Sequence, residues 1–248
     1  MAARLAGVAR RRLLPSPRRD AWAKRRPHHK PLTRDDVVRA ALQTLDEVGL
    51  DGLTMRRLAT QLGVQSPSLY WHVRDKDELL SLIADTICAE IVPPSEALPW
   101  AAQLDAMGWE YRRVLLAHRD AALILANTPP SGPNRLRLAE RMLATVVRAG
   151  FPPRIAGRAA LLLLDFATNA VIEEGRSQAM SAAIGSEPGE EAGGWSTDLP
   201  ADEYPTLLAL AADLAAVDDP AARYRFGITV LLGGLQKVLA TGDDETGS

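Results

Sequence analysis

LTMRRLATQLGVQSPSLYWHVRDKDELL, running from Leu53 to Leu80, is the stretch whose reading decides the fold. Thr54 is placed to cap a short helix, because its hydroxyl can accept from an unpaired N–H of the first turn. Leu58, Ala59 and Leu62 then fall on the inner face. Gly63 supplies a tight turn, since glycine enters the left-handed region without steric cost. Ser66 is expected to cap a third helix, with Pro67 at its first position, where a missing N–H is no loss. From Gly52 to Val73 there is no acidic residue, while Arg56 and Arg57 are present. Hydroxyl and aromatic side chains gather in Ser66-Pro67-Ser68-Leu69-Tyr70-Trp71-His72. A packed inner face and an outer face free of negative charge are what a helix-turn-helix reader of DNA needs.

Upstream, Thr33 followed by Asp36 forms a capping-box pattern. Val37, Val38, Ala41, Leu42, Leu45 and Val48 continue as a helical stripe, which Gly49 ends. Downstream, Asp75 and Glu78 open a fourth helix that runs to about Val92. Pro93-Pro94 and Pro99 mark a break. Four longer helical segments are expected after it, at Trp100–Ala117, Asn134–Ala149, Arg154–Glu174 and Pro220–Ala240. A shorter helix fits Ala201–Val217, and residues 186–194 read as a flexible acidic loop. No stretch reads as a convincing strand. The fold class is therefore all-α.

Composition agrees. Hydrophobic residues make up 47% of the 248, aromatics only 5%, and Ala and Leu dominate, which favours packed helices. One cysteine, Cys88, excludes an internal disulfide framework and fits a reducing, cytoplasmic setting. No apolar run is read as long enough to span a membrane. The net charge of −2 conceals an asymmetry, because residues 1–31 hold ten basic residues and one acid, a net +9 that leaves −11 elsewhere. This arm reads either as a contact to phosphate or the minor groove, or as a passive solvated tail. Its Arg-rich, acid-poor composition is also that of a transit peptide, with nothing else pointing to import.

The motif resembles the TetR family of one-component transcription regulators, with a tetracycline-repressor-like C-terminal domain. The similarity rests on Leu69-Tyr70-Trp71-His72-Val73 and continues through Trp100, the run Leu115-Leu116-Ala117-His118-Arg119-Asp120, Gly150-Phe151 and Glu173-Glu174. It covers nearly everything after residue 32 and implies an all-helical homodimer with a three-helix DNA-binding head (32–78) and an effector-binding, dimerisation body (79–248), preceded by the basic arm (1–31). It further implies that the Arg154–Glu174 and Pro220–Ala240 helices pair with their symmetry mates. Leu161-Leu162-Leu163-Leu164 and the run from Ile228 to Leu235 agree, being apolar on more than one face, and Gly233-Gly234 would permit close approach.

The resemblance makes Arg56 a contact to a base edge and Tyr70, Trp71 and His72 clamps on the phosphate backbone. Arg can bond guanine bidentately, and the hydroxyl, indole N–H and imidazole suit phosphate oxygen. The alternatives are a solvated Arg56 and a Trp71 that belongs to the core. Gln65, Ser66, Pro67 and Ser68 begin the recognition helix, where amide, hydroxyl and an apolar ring can read bases. Lys76 stands at a helix N-terminus, which favours phosphate. Ser66 replaces a family glutamine, which implies a different operator.

On the ligand side, the tetracycline repressor's magnesium-linked histidine corresponds to Leu125, and two polar drug contacts correspond to Met107 and Met142. Tyr111 replaces an aromatic contact and Thr128 is retained. Leu and Met cannot hold Mg²⁺, which demands oxygen ligands, so no metal or other cofactor is expected. An apolar pocket is predicted from Met107, Tyr111, Leu125, Thr128, Met142, Asp165 and Asn169, the last two as polar groups on a buried helix. The methionines also read as plain core. By themselves His118 and Asp120 could form a metal or acid–base pair, whereas the resemblance implies a structural role for the His-Arg-Asp run at the hinge between body and head. Glu173 and Glu174 read as approaching a partner's pocket or as surface charge.

The expected function is a ligand-responsive repressor that binds a palindromic operator as a homodimer and is released by a small, largely apolar effector. Its partners would be double-stranded DNA, that effector and a second copy, with no membrane. The alternative is an architectural DNA-binding protein without an effector. An enzyme is disfavoured, because no Gly-rich phosphate loop, paired-Cys site, His-Glu-x-x-His helix or nucleophile elbow is present.

Overall fold

The computed structural model describes residues 31–184, 199–216 and 219–241. The basic arm and the acidic loop of residues 186–194 fall outside them, apart from Pro31. Among the described residues the helices belong to one compact unit that begins at Arg34. Helices are α1 (Arg34–Gly52), α2 (Met55–Gln61), α3 (Ser66–Leu69), α4 (Lys76–Cys88), α5 (Trp100–Ala117), α6 (Ala121–Asn127), α7 (Pro133–Arg148), α8 (Pro153–Ile184), α9 (Pro205–Ala216) and α10 (Pro220–Thr241). No strand occurs among the described residues.

α1 buries Val37, Val38, Ala41 and Leu45, the stripe expected of it. Gly49 ends that helical run as expected: it sits at φ 74° and ψ 178°, and beyond this kink a second short helical stretch carries α1 on to Gly52. Thr54 caps α2, its Oγ1 accepting from Arg57 N at 3.1 Å. Gly63, at φ 65°, turns the chain, and Val64 N returns to Ala59 O at 3.0 Å. The start of α3 differs from the expectation. Gln65 occupies the cap position without a side-chain bond, and Ser66 is already helical. α3 is a single turn, after which Tyr70, Trp71 and His72 continue as turns held by His72 N and Val73 N on Leu69 O. Asp75 caps α4 as expected, accepting from Glu78 N at 2.7 Å, but α4 stops at Cys88 rather than Val92.

In the body, α8 packs against α5, α6, α7 and α10. Its stretch from Pro153 to Ala179 is long and apolar enough to cross a membrane by length and composition, at mean hydropathy 1.5, which corrects the sequence reading. A core role accounts for the apolar residues of its inner face. Ala156, Ala159, Leu163, Ala167 and Val171 are buried among the other helices, and Glu174 pairs with Arg112 of α5 at 2.6 Å. α8 also runs ten residues beyond the expected Glu174. α6 is not among the helices that the periodicity of the sequence predicts. Its first residue follows Asp120, which sits at φ 56° and gives α6 no side-chain cap.

Two helix ends are closed by side chains from outside the helix concerned. Asp85 of α4 accepts from Asn134 N at 2.8 Å and Arg135 N at 2.9 Å, so it caps α7. Gly132 makes room for it, since a Cβ there would meet the carboxylate at 2.5 Å. Arg135 in turn donates to the carbonyls of Leu125, Thr128 and Pro129 at the end of α6. Both ends would otherwise leave unpaired backbone groups.

Candidate DNA interface and effector cavity

Leu58, Ala59, Leu69 and Val73 are buried, which turns the remaining side chains of α2 and α3 outward. Arg56, Gln65, Pro67 and Ser68 are exposed, and Ser66 and His72 are half-buried. Tyr70 is 50% exposed and Trp71 88%, so Trp71 is not a core residue. Trp71 and Tyr70 are thus neighbouring exposed aromatics at the end of α3. Lys76 differs from the other eight. Its ammonium donates to Leu50 O at 3.3 Å, tying the start of α4 to the end of α1. Glu78 lies one turn into α4 but is paired with both Arg34 and Arg74, which hold its carboxyl below the usual carboxylate range, the backbone N–H of Arg74 contributing most.

Head and body meet at the His-Arg-Asp run. Asp120 Oδ2 accepts from Leu50 N at 2.8 Å, and Arg119 N donates to Asp46 Oδ1 at 3.2 Å. Arg119 also reaches Glu47 O at 3.4 Å. His118 Nε2 lies 3.0 Å from Glu90 Oε1, beyond the end of α4, and Nδ1 lies 3.8 Å from Asp46 Oδ2. The kink at Gly49 is what admits this contact. A Cβ there would stand 2.9 Å from both Arg119 Nε and Asp120 Oδ2. The run thus grips α1 and the end of α4 together.

The seven residues expected to form one pocket are not all brought together. Met107, Tyr111 and Met142 converge with Leu104, Leu138, Leu163 and Ile228 around a cavity of about 10 Å³, roughly what one water requires. The Tyr111 hydroxyl is 2.9 Å from Thr168 Oγ1, and burial pushes its pKa up to about 12, so it stays neutral. Leu125 is buried but lines neither this cavity nor its neighbour. Thr128 faces a separate cleft beside Asp85 and accepts from Arg135 at 2.9 Å. Asp165 and Asn169 do not line this cavity, and both are exposed on α8. Leu161 and Leu162 of α8 are also 63% and 47% exposed, while α10 exposes Phe226 and Val230. A polar side chain on a mostly apolar helix turned outward rather than toward the cavity.

A second cavity, of about 290 Å³, adjoins the first and shares Met107 and Leu138 with it. Cys88, Ala89, Ile91 and Pro93 form its apolar side, and Asn134, Arg137 and Arg141 its polar side. Burial pushes the Cys88 thiol up to about 11. Sequence reasoning missed these arginines, since only the contact of α4 with α7 assembles them. It also missed the Arg112–Glu174 pair, whose side chains are 12% and 11% exposed and which lies against the ring of Tyr224. Glu174 is therefore neither surface charge nor free to approach a partner, whereas Glu173 is exposed and pairs with Arg176.

Comparisons with known proteins fit this arrangement. Residues 37–83 match the profile of bacterial regulatory proteins of the tetR family, and residues 92–239 that of the tetracyclin repressor-like C-terminal domain. The chain is 35% identical to the tetracycline repressor protein class C of Escherichia coli, over 86% of this chain and 94% of that one. It is 30% identical to the HTH-type transcriptional repressor DrrR1 of Streptomyces coeruleorubidus, over 87% and 83%. The crystal structure of ActR from Streptomyces coelicolor in complex with actinorhodin superposes with a TM-score of 0.75 at 35% identity, covering 84% of this chain and 99% of that one. The named relatives are repressors and regulators of transcription, not enzymes. With profiles covering both head and body, the chain belongs to the TetR family of bacterial regulatory proteins.

Proposed function

We propose that this protein is a cytoplasmic transcriptional repressor without enzymatic activity. It binds a palindromic operator as a homodimer and is released by a small, largely apolar effector held in the body. The head comprises residues 32–78 and the body 79–248. The observation that carries this reading is the joint at Gly49–Leu50. The acid-free surface of α2 and α3 is attached, through α1, to a body with a cavity, and the attachment is a specific grip by Arg119 and Asp120. An architectural DNA-binding protein has no use for such a joint. The exposed apolar faces of α8 and α10 suit pairing with a second copy, which would set two heads about one turn of DNA apart.

Tyr70, Trp71 and His72 are assigned to the phosphate backbone, and Arg56, Gln65, Ser66, Pro67 and Ser68 to base edges. Lys76 acts through the first turn of α4 rather than by a free ammonium. The effector site is built on Met107, Tyr111 and Met142, and Leu125 contributes core packing behind it. In operation, ligand favours a body state that moves α4, and the grip of His118 to Asp120 carries that shift to α1. The test is operator release measured by fluorescence anisotropy over a panel of hydrophobic compounds, with EDTA and with added Mg²⁺. Release by at least one compound, indifferent to Mg²⁺, is expected. Release by none, or release that requires Mg²⁺, overturns the reading.

A further inference from the structure

We propose that the effector is an acid: an aromatic or otherwise apolar body carrying a carboxylate, with the carboxylate read by Arg137 and Arg141. This rests on the reading above that the body binds an effector, and it specifies that effector's chemistry.

The cavity of about 290 Å³ is divided by chemistry. One side is Ala89, Ile91, Pro93 and Met107; the other is Asn134, Arg137 and Arg141, and no acidic side chain lines it. Arg137 and Arg141 lie four residues apart on α7, so they share one face of that helix. Arg137 is exposed and so stands at the rim. Its Nε donates to Pro133 O at 3.2 Å, and it has no carboxylate partner among the described residues. Arg141 is fixed by Glu96 and by a 2.9 Å bond from Nη2 to Pro94 O, yet its Nε is buried with no hydrogen-bond partner. A buried donor left unpaired is costly, and an anionic acceptor placed beside it relieves that cost. A neutral apolar ligand would fill the other wall and leave these donors as they are.

The apolar part has a direction to grow. Met107 and Leu138 are the wall shared with the closed cavity around Tyr111 and Met142. Met107 is unbranched and readily changes rotamer, so a ligand ring that displaces it joins the two spaces. The acid then sits at Arg137 and Arg141, and the ring points toward Tyr111.

The test uses the full chain with anthracene-9-carboxylic acid and its methyl ester, binding being followed by ligand fluorescence at neutral pH. The acid is expected to bind about tenfold or more tightly than the ester, the usual scale of a charge-assisted bond. Arg137→Gln, a rim substitution that removes no structural contact beyond one helix-surface bond, should cut that preference several-fold without changing ester affinity. Arg137→Lys should restore part of it, and Arg141→Gln should remove most of the remainder. Equal binding of acid and ester, binding of neither, or an undiminished preference in both Gln variants overturns the proposal. Operator occupancy read in the same samples separates the two readings. An acid that binds with the arginine-dependent preference yet leaves operator bound supports the site and refutes the gating. A neutral compound that releases operator equally well from the wild type and Arg137→Gln supports the gating and overturns the acid.

Discussion

Replacing Asp120 by alanine should loosen the head from the body while leaving the body's own core intact. Two effects add. The first is loss of the bond from Leu50 N to Asp120 Oδ2, at 2.8 Å. A hydrogen bond to a charged group contributes about 1.5–3 kcal/mol, and the backbone N–H it abandons is only half-buried, which favours the lower end. The second is conformational. Asp120 sits at φ 56°, ψ 11°, which aspartate and asparagine tolerate and alanine adopts at a cost of about 1 kcal/mol. The sum is about 2–3 kcal/mol, a large share of the roughly 5–15 kcal/mol that holds a typical fold together. Urea unfolding at fixed protein concentration measures it, the concentration being held because a dimer's stability depends on it. Hydrogen exchange places it, since the Leu50 amide should exchange faster in Asp120→Ala while amides in α8 stay protected. Asp120→Asn keeps both an acceptor oxygen and the backbone preference, and should recover more than half of the loss. An Asp120→Ala protein within about 0.5 kcal/mol of wild type, the range of ordinary surface changes, would refute the reasoning.

Tyr70→Ala should weaken binding to every duplex and lower the slope of affinity against salt, whereas Arg56→Ala should relax preference at one base pair per half-site at about 1–3 kcal/mol; titrations on cognate and random duplexes across a salt series distinguish them. Met142→Trp, which overfills the closed cavity, should abolish operator release by compounds that release the wild type while leaving operator affinity unchanged in anisotropy titrations. Cys88, with its thiol pushed up to about 11, stays protonated at pH 8 and should resist Ellman's reagent in the native protein, then react promptly in urea; rapid native labelling would show α4 to be open where the structure has it packed.

The head was legible because its instructions are local. Thr54, Gly63 and Asp75 each act within a few residues of their own position, and each occupies the role expected of it. Trp100–Ala117 was bounded correctly for the same reason, with Pro99 before it and His118 leaving the helix after it. The failures lie where the partner is far away in sequence. α6 has no cap of its own because the Asp120 carboxylate is spent on Leu50, 70 residues earlier. α7 is capped by Asp85 from another helix, which no local pattern announces. α8 runs ten residues past the expected Glu174 and through Gly175, although a helical glycine costs roughly 1 kcal/mol. Asp165 and Asn169 were placed inside because α8 is apolar on most of its circumference, so periodicity did not say which face was inner. The cavity arginines were invisible for a related reason. Arg137 and Arg141 read as a solvated helix face until α4 and α7 are brought together.

The central claim is that the surface of α2 and α3 reads DNA sequence as a symmetric pair. Selection of bound duplexes from a randomised library by the full-length protein, followed by sequencing, tests it most directly. An inverted repeat should emerge, its half-sites centred about one helical turn apart, with bases specified at the positions facing Arg56 and Gln65 to Ser68. A pool that binds without enriching any motif, or one that enriches a single unrepeated site bound by one chain, would contradict the account.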